Sequence, residues 1–411
     1  MTAVSEVSGS VLPGFEPVLE AFAAGASDLG EGGGAFAVYH DGSMVVDLWA
    51  GQARPGQPWQ ADTLATLMST TKGLTALCAQ VLHSKGLLDV EAPVSTYWPE
   101  FAQAGKEKAT VRQVLDHTVG VLGLPHPERL LGWDGTGWAD YDAIADALAA
   151  AEPAWEPGTA IGYHAISYGW LVGELVRRIT GQSIGRLLRV EIAEPLGVDA
   201  WIGTPRDVEP RVATIIPEST EGLPAEMAAI DGQLRAMFNE PGSLLATAAI
   251  SVNGSCIIDN LGGFMNLPEV RALEIAAANG SAGARDLARI YGALAAGGEG
   301  LVSPESIALF STTSASGRSA VTPEMTLPSG VVVPAPWTCY ALGYARNEPE
   351  PGMPPVFGPH VETFGHAGHG GQVGFCDPVA GLGVGFVRSH LSLSPVFAAT
   401  LIQTLYDCVP A

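Results

Sequence analysis

Lysine is nearly absent from this chain. Only Lys72, Lys85, Lys106 and Lys108 occur in 411 residues, and arginine supplies the rest of 20 basic side chains set against 43 acidic ones. With a formal charge of −23 and no basic run, the sequence has nothing to track a phosphate backbone, which excludes nucleic acid as a partner. Cysteine is also scarce: Cys78, Cys256, Cys339, Cys376 and Cys408 are odd in number, far apart and without C-x-x-C spacing. That excludes a zinc ribbon or redox motif and reads as buried small hydrophobes in a reducing compartment. Long apolar runs are missing, since no stretch reaches the roughly 18 residues a membrane span needs. The opening "MTAVSEVSGSVLPGFEPVLEAF" has neither the basic n-region nor the apolar h-region of a signal peptide. The expectation is a cytoplasmic protein with no membrane partner; its oligomeric state leaves no mark in the sequence.

What remains is 47% hydrophobic and 15% charged, a globular composition large enough for a sizeable core and a buried cleft. Apolar spacing from Phe15 to about Ala24 predicts a first helix, and "EGGGAFAVYHDGSMVVDLWAG" predicts two strands joined at "HDGS". Helical periods follow from Thr71 to about Leu82, with Gly86 as a stop, in "TVRQVLDHTVG", in "AISYGWLVGELVRRITGQS" ending at Gly181, and in "SAGARDLARIYGALAAGGEG". Beyond about residue 335 the pattern turns to short strands, "WTCYALGYA", "QVGFCDP" and "LGVGFVRSH", before a last helix near "SPVFAATLIQTLYDC". The segment from about Ser314 to Pro336 reads as a surface loop. Residues 1–60 and 290–411 therefore form one α/β region built from both termini, and residues 61–289 a mainly helical one.

In "LMSTTKGLTAL", Ser69 and Lys72 stand at i and i+3 at the start of a helix, on one face. Serine needs a base to become a nucleophile at neutral pH, and a lysine one turn away can serve if desolvation or a neighbouring positive field lowers its pKa from about 10.4. The helix start also places the Ser69 amide where a developing oxyanion benefits from the dipole. Such a pair arises by chance in roughly one such chain in four, so it does not stand alone. An apolar helix follows it, which turns both polar side chains into the protein body, where an unpartnered lysine is costly.

A second element is Tyr163 in "PGTAIGYHAISYGWLVGELV", in the loop before a helix, where a phenol can share a proton with Lys72 and a leaving group. Tyr168 falls within the helix period and reads as packing. The third is "FGHAGHGGQVGFCDP", where His366 and His369 lie among glycines that let a backbone approach a ligand. No H-E-x-x-H or third carboxylate accompanies them, so neither a metal nor another cofactor is called for. His117 and His126 read as loop or core histidines.

In this order and spacing, "STTK", the tyrosine of "PGTAIGYHAISYGW" and "GHAGHGG" resemble the serine beta-lactamase and penicillin-binding-protein superfamily. More closely, they are similar to its class C beta-lactamase-related carboxylesterases, the family VIII esterases. The likeness extends through "VVDLWAG", "LLDVEAPVSTYWPEF", "LVRRITGQS" and "GFCDPVAGLGVGF". It implies an α+β fold: a central antiparallel sheet flanked by helices, an all-helical region beside it, and an active site in the cleft between them. It further implies that Ser69 is acylated, Lys72 takes its proton, Tyr163 acts with Lys72 as relay, and His366 is a catalytic residue lining the cleft. The amides of Ser69 and His369 would form the oxyanion hole, with Gly368, Gly370 and Gly371 against the substrate.

Departures from the pattern narrow the chemistry. Tyr163-His164-Ala165 replaces the lactamase Y-x-N, and His366-Ala367-Gly368 replaces K-T-G. Loss of that asparagine and lysine argues against efficient beta-lactamase or D-peptidase activity. His369 and Gln372, bulkier than many relatives carry, suggest a specialised acyl or leaving-group site. The expectation is a hydrolase taking a small-molecule ester or acyl substrate through acyl-Ser69. Its competitor is an acyltransferase passing the same acyl group to an amine or alcohol in natural-product biosynthesis. A binding protein that kept the fold without turnover would need all three elements to survive unused.

Overall fold

The two ends of the chain meet in one sheet. A computed structural model describes residues 6–409 except 222, 328 and 354; residues 1–5 of the N-terminal stretch read above lie outside them. Strand Gly33–His40 pairs antiparallel with Leu382–Arg388 over seven residues, from His40 against Leu382 to Gly34 against Arg388. From that junction the sheet extends through Ser43–Arg54 to Ser8–Val11 on one side. On the other it runs through Val373–Asp377, Phe364–Ala367, Ala345–Arg346 and Trp337–Tyr340 to Ala315–Arg318, antiparallel throughout. The first hairpin turns at Asp41 and Gly42, whose φ values of 49° and 76° suit the tight two-residue turn that "HDGS" signals.

Both faces of the sheet are covered, and strand alternation decides what covers each. Along Leu382–Arg388, Leu382, Val384 and Phe386 point to a core shared with Val18 and Phe22 of helix Glu16–Gly25 and with Phe397, Leu401 and Leu405 of helix Val396–Cys408. The intervening Gly383 and Gly385 face helix Ala284–Ala295. A Cβ on them would lie 2.0 Å from Gly292 N and 2.2 Å from Ala284 O, so the helix rests directly on backbone. The boundary expected near residue 290 cuts this helix, which packs on the sheet along its length.

Helix Thr71–Ser84 is buried from Thr71 through Leu82 and runs through the larger core, which explains its apolar residues on every side. It ends at Gly86, whose φ of 70° is the left-handed stop anticipated there, and helix Ser167–Thr180 ends the same way at Gly181. Two expectations need correction. The period in "TVRQVLDHTVG" gives only Val111–Leu115, capped by Thr110 and Gln113, because His117 takes a φ of 65° that a helix cannot continue. The Ser314–Pro336 loop contains the sheet's edge strand, Ala315–Arg318, too short and too rich in Gly and Ser to show as a strand without its partner Trp337–Tyr340.

Candidate active site

Ser69 lies in the single 3₁₀ turn Met68–Thr70 that leads into helix Thr71–Ser84. The preceding Met68 holds a φ of 48°, rare for a side chain of its size and a sign that the surrounding fold fixes this turn. Lys72, one turn on, has no solvent exposure. Its Nζ lies 3.2 Å from Ser69 Oγ, 2.7 Å from the Ala165 carbonyl oxygen and 2.9 Å from that of Ala277. Burial pushes the Lys72 pKa well below its ordinary value, so desolvation, without a neighbouring positive field, supplies the fall that sequence could not show. A neutral amine has two N–H bonds and one lone pair. The two carbonyls take the N–H bonds, and the lone pair is left for the Ser69 hydroxyl to donate into. Lys106 is also buried, but its Nζ is held by the carbonyls of Gln103 and Ala151, away from any serine.

Tyr163 completes this corner, with Lys72 Nζ 4.7 Å from its ring centre. Burial raises the Tyr163 phenol above its ordinary pKa and keeps it protonated. Its hydroxyl finds no full hydrogen bond among the described residues, although Ser69 lies near enough to oppose part of that rise. The ring is stacked on Tyr340, 6.2 Å away at 11°, and flanked by His366 at 6.0 Å and His117 at 5.2 Å. His117, read from sequence as loop or core, is core that touches the site: its Nδ1 accepts the His164 N–H at 3.2 Å, pinning the chain beside Tyr163. Nothing local in "LDHTVG" signals this, because residues 117, 163 and 340 meet only through the fold. His126, by contrast, is an exposed surface residue beside Glu128.

The three buried imidazoles are neutral. Burial lowers the His164 pKa to about 4 and the His366 pKa to about 3, the field of a protonated Lys72 adding to both, and burial drives His117 down as well. Tyr168 is fully buried against His117, as packing.

His366 lies within strand Phe364–Ala367, and Gly368–Gly371 forms the turn to Val373–Asp377. A Cβ on Gly368 would sit 2.5 Å from the Leu67 carbonyl oxygen and 2.9 Å from Thr70 Oγ1. Glycine thus lets this turn press against the turn that carries Ser69. Neither the Ser69 nor the His369 N–H meets an acceptor among the described residues, which leaves both amides available to an oxyanion.

The His369 ring is anchored from behind by Glu218, its Nε2 2.9 Å from Glu218 Oε1, and Arg235 donates to the same oxygen at 2.6 Å. Burial alone would raise the Glu218 carboxyl, but His369 and Arg235 outweigh it and hold the pKa at about 2. Gln372 needs correction. It is buried, donates to the Thr66 carbonyl at 3.0 Å and accepts the Arg388 N–H, so it stitches the sheet and does not line the cleft.

A cavity of about 400 Å³ opens over Ser69. Its lining includes Tyr340, His366 and His369 from the sheet and the turn after Phe364–Ala367, and Tyr163 from the loop before helix Ser167–Thr180. Opposite stand Phe238, Leu245, Ile257, Leu261 and Met265, from a stretch in which sequence reading singled out nothing. Phe238 belongs to helix Ala225–Asn239, which buries no residue fully and lies over the cavity through Leu234, Met237 and Phe238 against Leu122, Leu245 and Val321. No Asp, Glu, Lys or Arg lines the cavity among the described residues.

A partly exposed serine 3.2 Å from a fully buried lysine, at a cavity where the two-ended sheet meets helical segments, is the arrangement of a serine acyl-transfer enzyme. The beta-lactamase family matches residues 19–402. The esterase/beta-lactamase LipL of Mycobacterium tuberculosis is 37% identical over 95% of this chain and 84% of its own. A family VIII carboxylesterase structure superposes with a TM-score of 0.81 at 34% identity, covering 98% of this chain and 100% of that one. A penicillin-binding-protein homologue from Caulobacter crescentus does so at 0.79 and 34%, with the same coverage. The chain belongs to the beta-lactamase family, within the superfamily of family VIII carboxylesterases and penicillin-binding-protein-related serine hydrolases. It is an enzyme of the serine hydrolase or acyltransferase type. No helix among the described residues is long and apolar enough to cross a membrane.

Proposed function

We infer that the protein hydrolyses uncharged carboxylic esters through an acyl-Ser69 intermediate. The observation that carries this is the Lys72 amine, whose two N–H bonds are committed to Ala165 and Ala277 so that its lone pair faces Ser69. Ser69 Oγ bonds to the ester carbon as its proton passes to Lys72. The carbonyl oxygen, now negative, takes the amide hydrogens of Ser69 and His369. When the tetrahedral centre collapses, the C–O bond to the alcohol breaks. Tyr163 gives its proton to the departing oxygen and regains one from Lys72. A water then attacks the acyl carbon, and its proton returns through Tyr163 and Lys72 to Ser69 Oγ, restoring the starting state.

The cavity wall favours neutral substrates. No lysine or arginine lines it among the described residues and the His369 ring is engaged by Glu218, so a carboxylate such as a beta-lactam or a peptide C-terminus carries would lie without a free cationic partner, at a cost of several kcal/mol. Ser69→Ala is expected to abolish both p-nitrophenyl butyrate hydrolysis and fluorophosphonate labelling while the circular dichroism spectrum is kept. A labelled, active Ser69→Ala protein would refute the assignment.

A second reading rests on the apolar helical wall of Phe238, Leu245, Ile257 and Met265. A surface that repels water and holds alkyl groups also lets an alcohol compete for the acyl-enzyme, so transfer to a small alcohol accompanies hydrolysis. Product partition between acid and butyl ester in the presence of butanol measures it; partition unaffected by butanol would dismiss the transfer reading.

A further inference from the structure

His366 is 5% exposed and lines the cavity over Ser69. Its Nδ1 lies 2.7 Å from the Ala367 carbonyl oxygen. A carbonyl can only accept, so the ring proton sits on Nδ1 and Nε2 presents a bare lone pair. That Nε2 is buried and has no hydrogen-bond partner among the described residues. Buried polar atoms are ordinarily satisfied, and the exceptions in a binding cavity point to what the cavity is built to receive. Next to it the Tyr163 hydroxyl is likewise buried and unpartnered, on a ring 6.0 Å away. One atom is a donor and the other an acceptor, yet they do not bond to each other. A guest that accepts from Tyr163 and donates to His366 would satisfy both.

We propose that His366 is a specificity-determining residue that accepts a hydrogen bond from a free hydroxyl on the alcohol half of the ester, so that the preferred substrates are monoesters of vicinal diols, glycerol included. This rests on the ester-hydrolase reading, in which Tyr163 protonates the departing oxygen. The hydroxyl on the next carbon then falls within reach of the neighbouring ring, while the acyl chain lies on the apolar wall of Phe238, Leu245 and Met265. His366 takes no proton in the reaction. With a pKa lowered to about 3 by burial and then by Lys72, it is too weak a base to remove one but remains an acceptor throughout the working range. Where a lysine would offer charge to a carboxylate, this ring offers only a lone pair, and it selects a neutral donor.

The test compares 2-hydroxyethyl butyrate with 2-methoxyethyl butyrate, which differ in the donor alone at similar leaving-group character. In the wild type kcat/KM is expected to be about 10- to 100-fold higher for the hydroxy ester, the effect of leaving a buried acceptor unsatisfied. In His366→Phe, which keeps a ring and removes the acceptor, the ratio should fall toward one through loss on the hydroxy ester. Fluorophosphonate labelling of Ser69 reports that the variant's site is intact. Equal wild-type values for the two esters overturn the proposal even if His366→Phe fails to fold, as does a preference that survives in His366→Phe. Failure of the wild type to turn over either ester, with no labelling, would instead bring down the ester-hydrolase reading and this inference with it.

Discussion

Lys72 Nζ stands 3.2 Å from Ser69 Oγ on a side chain with no solvent exposure, its N–H bonds taken by two backbone carbonyls. Such a site disfavours an ammonium, so the arrangement that makes a base also lowers stability. Lys72→Met, which fills the volume without the amine, is expected to reduce kcat/KM by at least about 10³-fold and to raise stability by about 1–2 kcal/mol. Between the depressed folded pKa and the ordinary 10.5, the unfolded chain binds the extra proton, so wild-type stability rises with pH across that window and the gain from Lys72→Met shrinks toward its upper end. Urea titrations at two pH values measure both effects. A variant that keeps wild-type activity removes Lys72 from the mechanism.

The pH profile of acylation should have one limb. Activity is expected to rise with pH as Lys72 loses its proton, and to show no alkaline fall below about pH 10, because burial holds the Tyr163 phenol above its ordinary range. His164 and His366, lowered to about 4 and about 3, do not titrate between pH 5 and 9 and add no limb there. A bell centred near neutrality in kcat/KM would mean that a histidine, not Lys72, is the base.

In the proposed mechanism Glu218, bonded to the His369 ring, positions the turn whose His369 amide meets the oxyanion. Glu218→Ala is expected to reduce kcat by about tenfold with little change in KM, since the amide acts on the oxyanion more than on the bound ester. Glu218→Gln should recover part of the loss. The carboxyl's folded pKa, about 2, lies below the ordinary 4.5, so its contribution to stability is present above about pH 4.5 and fades as pH falls toward 2. Thermal melts of wild type and Glu218→Gln should therefore converge in acid. Melts that stay equally separated down to pH 2 would exclude this coupling.

Gly368→Ala tests the close approach of the two turns. With a Cβ only 2.5 Å from the Leu67 carbonyl oxygen, one turn must shift. The expected cost is about 1–3 kcal/mol of stability and, because the amides of Ser69 and His369 separate, a loss in acylation rate of about 10²-fold. Ala at this position with full activity would show that the turn has slack.

Much of this was legible in sequence where a feature is local. The stops at Gly86 and Gly181, the turn at Asp41-Gly42 and, each taken by itself, the motifs around Ser69 and Lys72, Tyr163 and His366 need only a short window of chain. The Ala165 and Ala277 carbonyls that commit the Lys72 amine could not be read, because a backbone acceptor carries no residue signature. Nor could the cavity wall: Phe238, Leu245, Ile257 and Met265 come from the end of helix Ala225–Asn239 and from separate short helices and turns after it, which share no single period. The edge strand Ala315–Arg318 is defined by its ladder to Trp337–Tyr340 and not by its own residues. Gln372 looked like a cleft residue because its neighbours are, yet its buried side chain bonds to the Thr66 carbonyl and the Arg388 N–H, partners far away in sequence.

The acyl-enzyme itself is the most direct test. Wild-type protein mixed with p-nitrophenyl butyrate, acid-quenched within the first turnover and digested, should carry one butyryl group on the peptide containing Ser69, and the same adduct should be missing from Ser69→Ala. A butyryl group on any other residue, or rapid turnover with no adduct at any quench time, would contradict the account.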